Sequence, residues 1–209
     1  MAQSGTRAPR RSSQAVRRGG QDRHDQIVQI AGALFAERGF LATTIRDIAD
    51  EANILSGSLY HHFESKESIA DILLRAYWDE LMTEYDAIVA AKLEPAETMR
   101  GLLAASIRML EQHRYAVRMI LNDWAYLSGV LPYLDENNAR IRKIWTTLLR
   151  QGMKRGQFRS DVDPNVTYRT IMSSVTGAGR WFEPGGKLTA EQLANEITDL
   201  FLRGLQPGA

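Results

Sequence analysis

Residues suited to contact an anionic partner are concentrated between Thr44 and Lys66. The set combines hydroxyl, imidazole and cationic side chains with one glycine: Thr44, Arg46, Ser56, Gly57, Ser58, Tyr60, His61, His62 and Lys66. Such groups hydrogen-bond to phosphate oxygens and to the edges of bases. The small residues at positions 56–58 let a backbone approach its partner closely. The set therefore predicts contacts with double-stranded DNA.

A metal site is the alternative interpretation of the adjacent His61 and His62. Neighbouring side chains on a helix point about 100° apart, and no third ligand lies near them in the sequence. The chain also has no cysteine, which excludes thiolate zinc sites, iron–sulfur clusters and a cysteine nucleophile. No metal and no cofactor are therefore expected.

Two short helices joined by a tight turn must position the contact residues. A threonine followed three residues later by Asp47 is the pattern of a capping box, which predicts a helix that starts near Thr44. Residues 53–55 form the turn, and Ser56 is the candidate N-cap of a second helix that ends near Phe63. Leu59 and Phe63 lie four residues apart and anchor this second helix. The pattern is typical of a helix-turn-helix, whose second helix enters the major groove of DNA.

Residues 43–49 (TTIRDIA) and 58–67 (SLYHHFESKE) resemble the signature of the TetR family of bacterial transcriptional regulators. The similarity extends over residues 25–72. It implies that Thr44, Arg46, Ser56, Ser58, Tyr60, His62 and Lys66 occupy DNA-contacting positions. Within that set it implies phosphate contacts for Tyr60, His62 and Lys66. His61 lies where family members vary, which suits it to reading a base.

The N-terminal residues carry a charge signal that the net charge hides. The chain has 26 Lys and Arg against 25 Asp and Glu, a net charge of +1. Residues 1–25 hold six Arg and two Asp, or +4, which leaves +1 − 4 = −3 for the rest. Residues 1–21 have almost no large apolar side chain, so they are predicted to be a disordered basic tail. This tail is either a solubilising end or an arm that contacts DNA phosphate.

Apolar residues at helical spacing predict an all-α fold with about nine helices. The first helix runs from Asp22 to a C-cap at Gly39. Beyond the helix-turn-helix, further helices are predicted over residues 67–93, 96–112, 115–127, 133–155, 164–182 and 189–204. We therefore expect a three-helix DNA-binding domain in residues 22–68. A helical bundle for ligand binding and dimerisation follows in residues 69–209.

Charges interrupt every apolar segment before the roughly 18 residues that a membrane helix needs. No membrane partner is therefore expected, and a cytoplasmic location is predicted.

The last two predicted helices are candidates for a homodimer interface. A slim helix over residues 164–182 would let another helix approach closely, and the last helix has one apolar face. The candidate contacts are Val175, Gly179, Leu193, Ile197, Leu200 and Phe201. The alternative is burial of these residues within one protomer. A dimer is favoured because two symmetry-related helix-turn-helix motifs recognise a palindromic operator.

The middle helices contain an excess of methionine and aromatic residues, which suits an apolar effector pocket. The candidate lining residues are Met109, His113, Met119, Trp124, Trp145, Tyr168 and Met172. The alternative is that these residues only fill the core. His113, Arg118, Asn122 and Asp123 are candidates to orient a polar head group.

Residues 181–190 (WFEPGGKLTA) and 54–63 (ILSGSLYHHF) are similar to TetR-type repressors of steroid and fatty-acid catabolism in actinobacteria. That similarity implies an acyl-CoA effector whose phosphates meet Arg and Lys near the pocket mouth. The chain departs from some of those repressors at Met172 and Thr176, where they carry a charged and an aromatic residue.

The predicted function is a ligand-responsive repressor that a small hydrophobic effector releases from its operator. An enzyme on a helical scaffold is the alternative. Against it, the sequence has no His-x-x-x-His pair, no Gly-x-Ser-x-Gly elbow and no P-loop. A structural adaptor has no need of the cap and small-residue pattern, so it is disfavoured too.

Overall fold

The structure is a computed structural model that describes the backbone of residues 12–207 and the side chains of residues 22–207. Within these residues the chain forms nine α-helices and no strand, which confirms the all-α prediction. The helices are α1 (Ser12–Arg38), α2 (Ile45–Glu51), α3 (Ser56–Leu59), α4 (Lys66–Ala90), α5 (Pro95–Gln112), α6 (Arg114–Val130), α7 (Tyr133–Lys154), α8 (Pro164–Ala178) and α9 (Ala190–Leu205).

The first helix is longer than predicted. It begins at Ser12 rather than at Asp22, so residues 12–21 are helical where the sequence predicted a disordered tail. Extending a helix that packing has already nucleated requires little free energy per residue, which explains the early start. Residues 1–11 of the predicted tail lie outside the described residues. The predicted end is confirmed, since Gly39 follows α1 with a φ of +90°.

The last part of the predicted helix over residues 164–182 is not α-helical. Helix α8 ends at Ala178, and residues 179–182 form a tightened turn in which the N–H of Trp181 and the N–H of Phe182 both donate to Ala178 O. The turn brings Phe182 back into the core, where it is buried. Two glycines near this helix end, Gly177 and Gly179, favour such a turn over a continued helix.

One continuous apolar core joins the two halves of the chain. Helix α1 packs against α2, α4 and α6, while α2 packs against α3. Helix α5 lies at the centre of the second half and contacts α4, α6, α7, α8 and α9. We call α1–α3 the head and α4–α9 the body. No helix in the described part of the chain has the length and apolar character needed to span a bilayer.

Candidate nucleic-acid interface and ligand cavity

The start of α2 is held by the predicted capping box. The Thr44 hydroxyl accepts a hydrogen bond from the Asp47 N–H at 3.1 Å, and Asp47 Oδ2 accepts from the Thr44 N–H at 2.8 Å. The same carboxylate accepts from the Thr44 hydroxyl at 2.6 Å. Together these bonds lower the pKa of Asp47, the hydroxyl contributing most. Thr44 is thus presented at the surface with its orientation set by Asp47.

The second helix of the motif is shorter than predicted and starts one residue earlier. Leu55 is the extended N-cap, with φ −71° and ψ 141°, so Ser56 is the first helical residue rather than the cap. After Leu59 the chain continues to Phe63 as a turn, in which the His62 N–H donates to Leu59 O at 2.9 Å. Leu59 and Phe63 are both buried, which confirms that they anchor this segment.

The outer surface of α2 and α3 presents the predicted contact residues. Arg46 is 84% exposed and pairs weakly with Asp50, with 3.7 Å from Nε to Oδ2. Tyr60 is 59% exposed. His61, His62 and Gly57 are also exposed, while Ser56 and Ser58 are half-buried. A Cβ at Gly57 would meet no atom of the protein within 4 Å, so internal packing does not require a glycine there.

Lys66 has a structural partner that the sequence did not reveal. Its Nζ donates to Phe40 O at 2.7 Å and to Thr43 O at 2.8 Å, and it lies 4.3 Å from the Phe40 ring centroid. Two of the three ammonium donors are therefore used to hold the turn before α2. The third donor remains for the phosphate contact that the family resemblance implies.

Arg23 also has a role that its position near the basic tail conceals. One guanidinium nitrogen donates to Ala52 O at 2.6 Å, at the C-terminal end of α2. The neighbouring His24 ring lies 4.6 Å from the ring of Phe63. Helix α1 thus supports α2 and the segment that follows α3.

The body contains a small cavity of about 50 Å³ between α4, α5, α6, α7 and α8. Its polar lining comes from Tyr77, Tyr85, Ser106 and Thr176. The Tyr85 hydroxyl lies 2.6 Å from Ser106 Oγ and accepts from Trp145 Nε1 at 3.1 Å. Burial raises the pKa of Tyr85 to about 12, so its phenol is neutral at physiological pH.

Most of the predicted pocket residues do not line this cavity. Met172 does, but Met109, Met119 and Trp145 are fully buried core residues, Tyr168 is buried and Trp124 is half-buried away from the cavity. These five residues, predicted to line an effector pocket, are not among those that border this cavity. Helical periodicity identifies the buried face of a helix but not which buried residues border a void.

His113 lies in a surface groove outside the cavity. Its Nε2 lies 2.7 Å from the Glu80 carboxylate, and it lines a groove of about 380 Å³ between α1, α4 and the α5–α6 junction. It therefore lines this groove and not the cavity between α4, α5, α6, α7 and α8.

A second groove of about 510 Å³ adjoins the cavity. It runs between α1, α6 and the segment after α8, and Arg114 and Arg118 form part of its wall. Leu110 and Val117 line both this groove and the cavity, so the two spaces adjoin at these side chains. Asn122 and Asp123 line neither space: Asn122 is exposed, and the Asp123 carboxylate accepts a hydrogen bond from the Phe40 N–H at 3.0 Å.

The predicted dimer contacts divide into two groups. Val175, Leu193 and Ile197 are buried within the protomer. Gly179 packs against its own α6, where an added Cβ would lie 2.9 Å from Val117 Cγ1. Gly179, the residue after α8, thus serves a close approach inside one chain, and all four residues make contacts within the protomer where the sequence predicted contacts with a second copy. Leu200 is 74% exposed and Phe201 is half-buried, so these two stay available.

Two family models match the chain. The model described as "Bacterial regulatory proteins, tetR family" covers residues 27–72, and "Tetracyclin repressor-like, C-terminal domain" covers residues 92–205. The chain belongs to the TetR family. It is a transcriptional regulator with a helix-turn-helix DNA-binding domain, as predicted.

Several relatives extend over most of the chain. It is 42% identical over 186 residues to the transcriptional repressor KstR2 of Mycobacterium tuberculosis, covering 88% of this chain and 92% of that protein. The solved structure described as ketosteroid transcriptional regulator KstR2 has a TM-score of 0.84 at 41% identity, with 88% and 95% of the two chains covered. AibR in complex with isovaleryl coenzyme A and operator DNA shares the fold, at TM-score 0.71, 23% identity and coverage of 85% and 97%. These similarities favour a regulator over the enzyme and the adaptor.

Proposed function

We propose that the chain is a repressor that binds a palindromic operator as a homodimer and leaves it when a small hydrophobic effector binds. The observation that carries the DNA-binding part is the surface of α2 and α3. Exposed Arg46, Gly57 and Tyr60 face outward there, while Leu59 and Phe63 anchor the segment from behind. The KstR2 relatives are repressors, which supports repression rather than activation.

A second copy of the chain is the proposed occupant of the outer faces of α8 and α9. The exposed Val166 and Leu200 lie on these helices, together with small exposed residues such as Ser173. A single helix-turn-helix reads too few base pairs for useful specificity, whereas a symmetric pair reads half-sites about 34 Å apart. The interface therefore uses the outer faces rather than the buried residues of these helices.

The proposed effector is an acyl-CoA thioester, with a steroid-derived acyl group favoured by the similarity to KstR2. The apolar cavity suits the acyl part, and its neutral hydroxyl groups can orient a carbonyl. The adjoining groove suits the coenzyme, because Arg114 and Arg118 can pair with phosphates there. A cavity of about 50 Å³ cannot hold a large acyl group, so the side chains of Leu110 and Val117 must move aside on binding.

The DNA-binding proposal is tested by operator affinity as a function of salt. A duplex is first selected by the wild-type chain from a randomised pool. Arg46→Ala should weaken binding to every sequence and reduce the salt slope by about one, since one phosphate contact is lost. Arg100→Ala is the control, because Arg100 is exposed and ion-paired but lies in the body. An Arg46→Ala slope equal to that of wild type would contradict the assignment.

The effector proposal is tested by the stabilisation that thioesters confer on the protein. A panel of CoA thioesters is compared with the matching pantetheine thioesters, which lack the nucleotide phosphates. Arg118→Gln should weaken binding of the CoA series alone, by about 1.5–3 kcal/mol for a charge-assisted pair. Lys143→Gln, an exposed cation on α7, is the control. Equal losses in both series, or no stabilisation by any thioester, would refute the proposed site.

A further inference from the structure

Helix α6 is interrupted at one residue that contacts the head. Asp123 has φ −124° and ψ 17°, outside the helical region, so α6 is kinked there. Its Oδ2 accepts a hydrogen bond from the Phe40 N–H at 3.0 Å. Phe40 belongs to the turn between α1 and α2, and Asp123 belongs to the body. The kink and one of the contacts between head and body therefore coincide at the Asp123 side chain.

Phe40 is held from both sides. Its N–H donates to Asp123, while its carbonyl accepts from Lys66 Nζ at 2.7 Å. The same Nζ reaches Thr43 O at 2.8 Å, at the residue before the N-cap of α2. We call Asp123, Phe40 and Lys66 the clasp. Because charged groups make both bonds, each is stronger than a bond between neutral groups.

A second contact from the same part of α6 runs beside the clasp. The Tyr126 hydroxyl donates to Glu67 Oε1 at 3.0 Å, in the first turn of α4. The Tyr126 ring also lies 5.6 Å from the ring of Phe40. The residues that follow the kink thus lie against both the turn before α2 and the start of α4.

The residues just before the kink line the cavity. Val117, Ile120 and Leu121 all border it, and Asp123 follows Leu121 by two residues. A molecule that enlarges the cavity presses on Val117 and Leu121 and so can displace this part of α6. Such a displacement changes the position of the Asp123 carboxylate, because the two sites share one short piece of backbone.

We propose that Asp123 is a positioning residue that couples the cavity to the DNA-contacting surface through the clasp. With the clasp closed, the turn before α2 is held against α6 and α4, and the head has one orientation. Displacement of α6 lengthens the bond to Phe40 and frees that turn. A bond can couple two sites only if its strength differs between the two states. The inference rests on the proposed ligand-responsive function.

Three variants test the proposal. Asp123→Ala removes the acceptor, Asp123→Asn retains an oxygen that accepts from the Phe40 N–H, and Asn122→Ala is the control at the exposed neighbour. The first readout is amide hydrogen exchange in the free protein. Asp123→Ala should speed exchange of the Phe40 amide by up to about tenfold, the equivalent of one lost hydrogen bond. Asp123→Asn and Asn122→Ala should exchange as wild type does.

The second readout uses the duplex selected by the wild-type chain. Binding of this duplex should slow exchange in α6 around residue 123 in wild type and in Asp123→Asn, because coupling acts in both directions. Asp123→Ala should lose that response and bind the duplex about 5- to 150-fold more weakly, the usual range for coupled sites. A residue that only supports the fold would lower thermal stability but leave the response of α6 to DNA intact.

The outcomes separate the inference from the proposed function. The coupling role of the clasp would be refuted if the Phe40 amide exchanged at the wild-type rate in Asp123→Ala. It would also be refuted if DNA binding still slowed exchange in α6 of that variant. Failure of wild type to select any duplex would overturn the proposed function, while the exchange of Phe40 in the free protein would still decide whether the clasp exists.

Discussion

The head and the body differ in how their functional residues relate to the core. In the head, most of the predicted contact residues lie at the surface, and the apolar anchors among them, Leu59 and Phe63, are buried. In the body, most residues predicted to line a pocket or a dimer interface are part of the protomer's own core, as Trp145 and Leu193 show. The DNA-contacting surface is formed by residues of one short segment, so their spacing in the sequence determines which of them face outward. A cavity is enclosed by residues from five helices.

The difference also concerns what polar groups do. In the head, exposed polar residues such as Arg46 and Tyr60 remain accessible to a partner. In the body, the polar groups at the cavity bond to one another, as Tyr85 does with Ser106. Substitutions in the head should therefore separate stability from DNA binding, whereas substitutions at the cavity should affect stability directly.

The largest expected effect breaks the anchor of the head. Leu59→Ala should lower the free energy of unfolding by about 2–5 kcal/mol, because Leu59 is fully buried and the truncation leaves a cavity. Leu55→Ala is the matched control, since Leu55 is 79% exposed and should change stability by less than about 0.5 kcal/mol. Denaturant unfolding monitored by circular dichroism gives both values. Similar losses in the two variants would show that the two faces of α3 are not distinguished by burial.

The next effect concerns the neutral phenol in the body. The pKa of Tyr85 is about 12 in the folded chain against 10 when exposed, so the folded state retains its proton longer. Its contribution to stability is complete below pH 10 and is lost between pH 10 and 12, up to about 2.7 kcal/mol for two pKa units. Tyr85→Phe should flatten this decline in unfolding experiments across that range. A slope unaffected by Tyr85→Phe would disprove the role of this phenol.

The smallest expected effect isolates DNA binding from folding. Gly57→Leu should weaken operator binding by about 1–3 kcal/mol, a typical loss when one base contact is blocked. It should leave unfolding unchanged or slightly improved, because no protein atom lies within 4 Å of an added Cβ. Gly129→Leu is the control at another open helical glycine. Fluorescence anisotropy with the selected duplex measures binding, and undiminished affinity in Gly57→Leu would mean that α3 does not approach DNA with this face.

Much of the architecture could be predicted because helices and caps depend on neighbours in the chain. The capping box at Thr44, the anchors Leu59 and Phe63 and the C-cap at Gly39 all follow from spacings of a few residues. The errors at helix ends have local causes too. Residues 12–21 continued a helix that packing had already nucleated, and Gly179 began a turn that brought Phe182 back to the core.

Residue types at short spacing were thus sufficient to establish the all-α fold, the helix-turn-helix and the family. The partners of Lys66 and Asp123 emerged only from the folded chain. The bond from Lys66 to Phe40 joins residues 26 apart, and that from Asp123 to Phe40 joins residues 83 apart. Periodicity tells which face of a helix is buried, but which distant group meets a given side chain depends on how helices pack. The proposed coupling between the cavity and the head likewise depends on contacts between residues that are distant in the sequence.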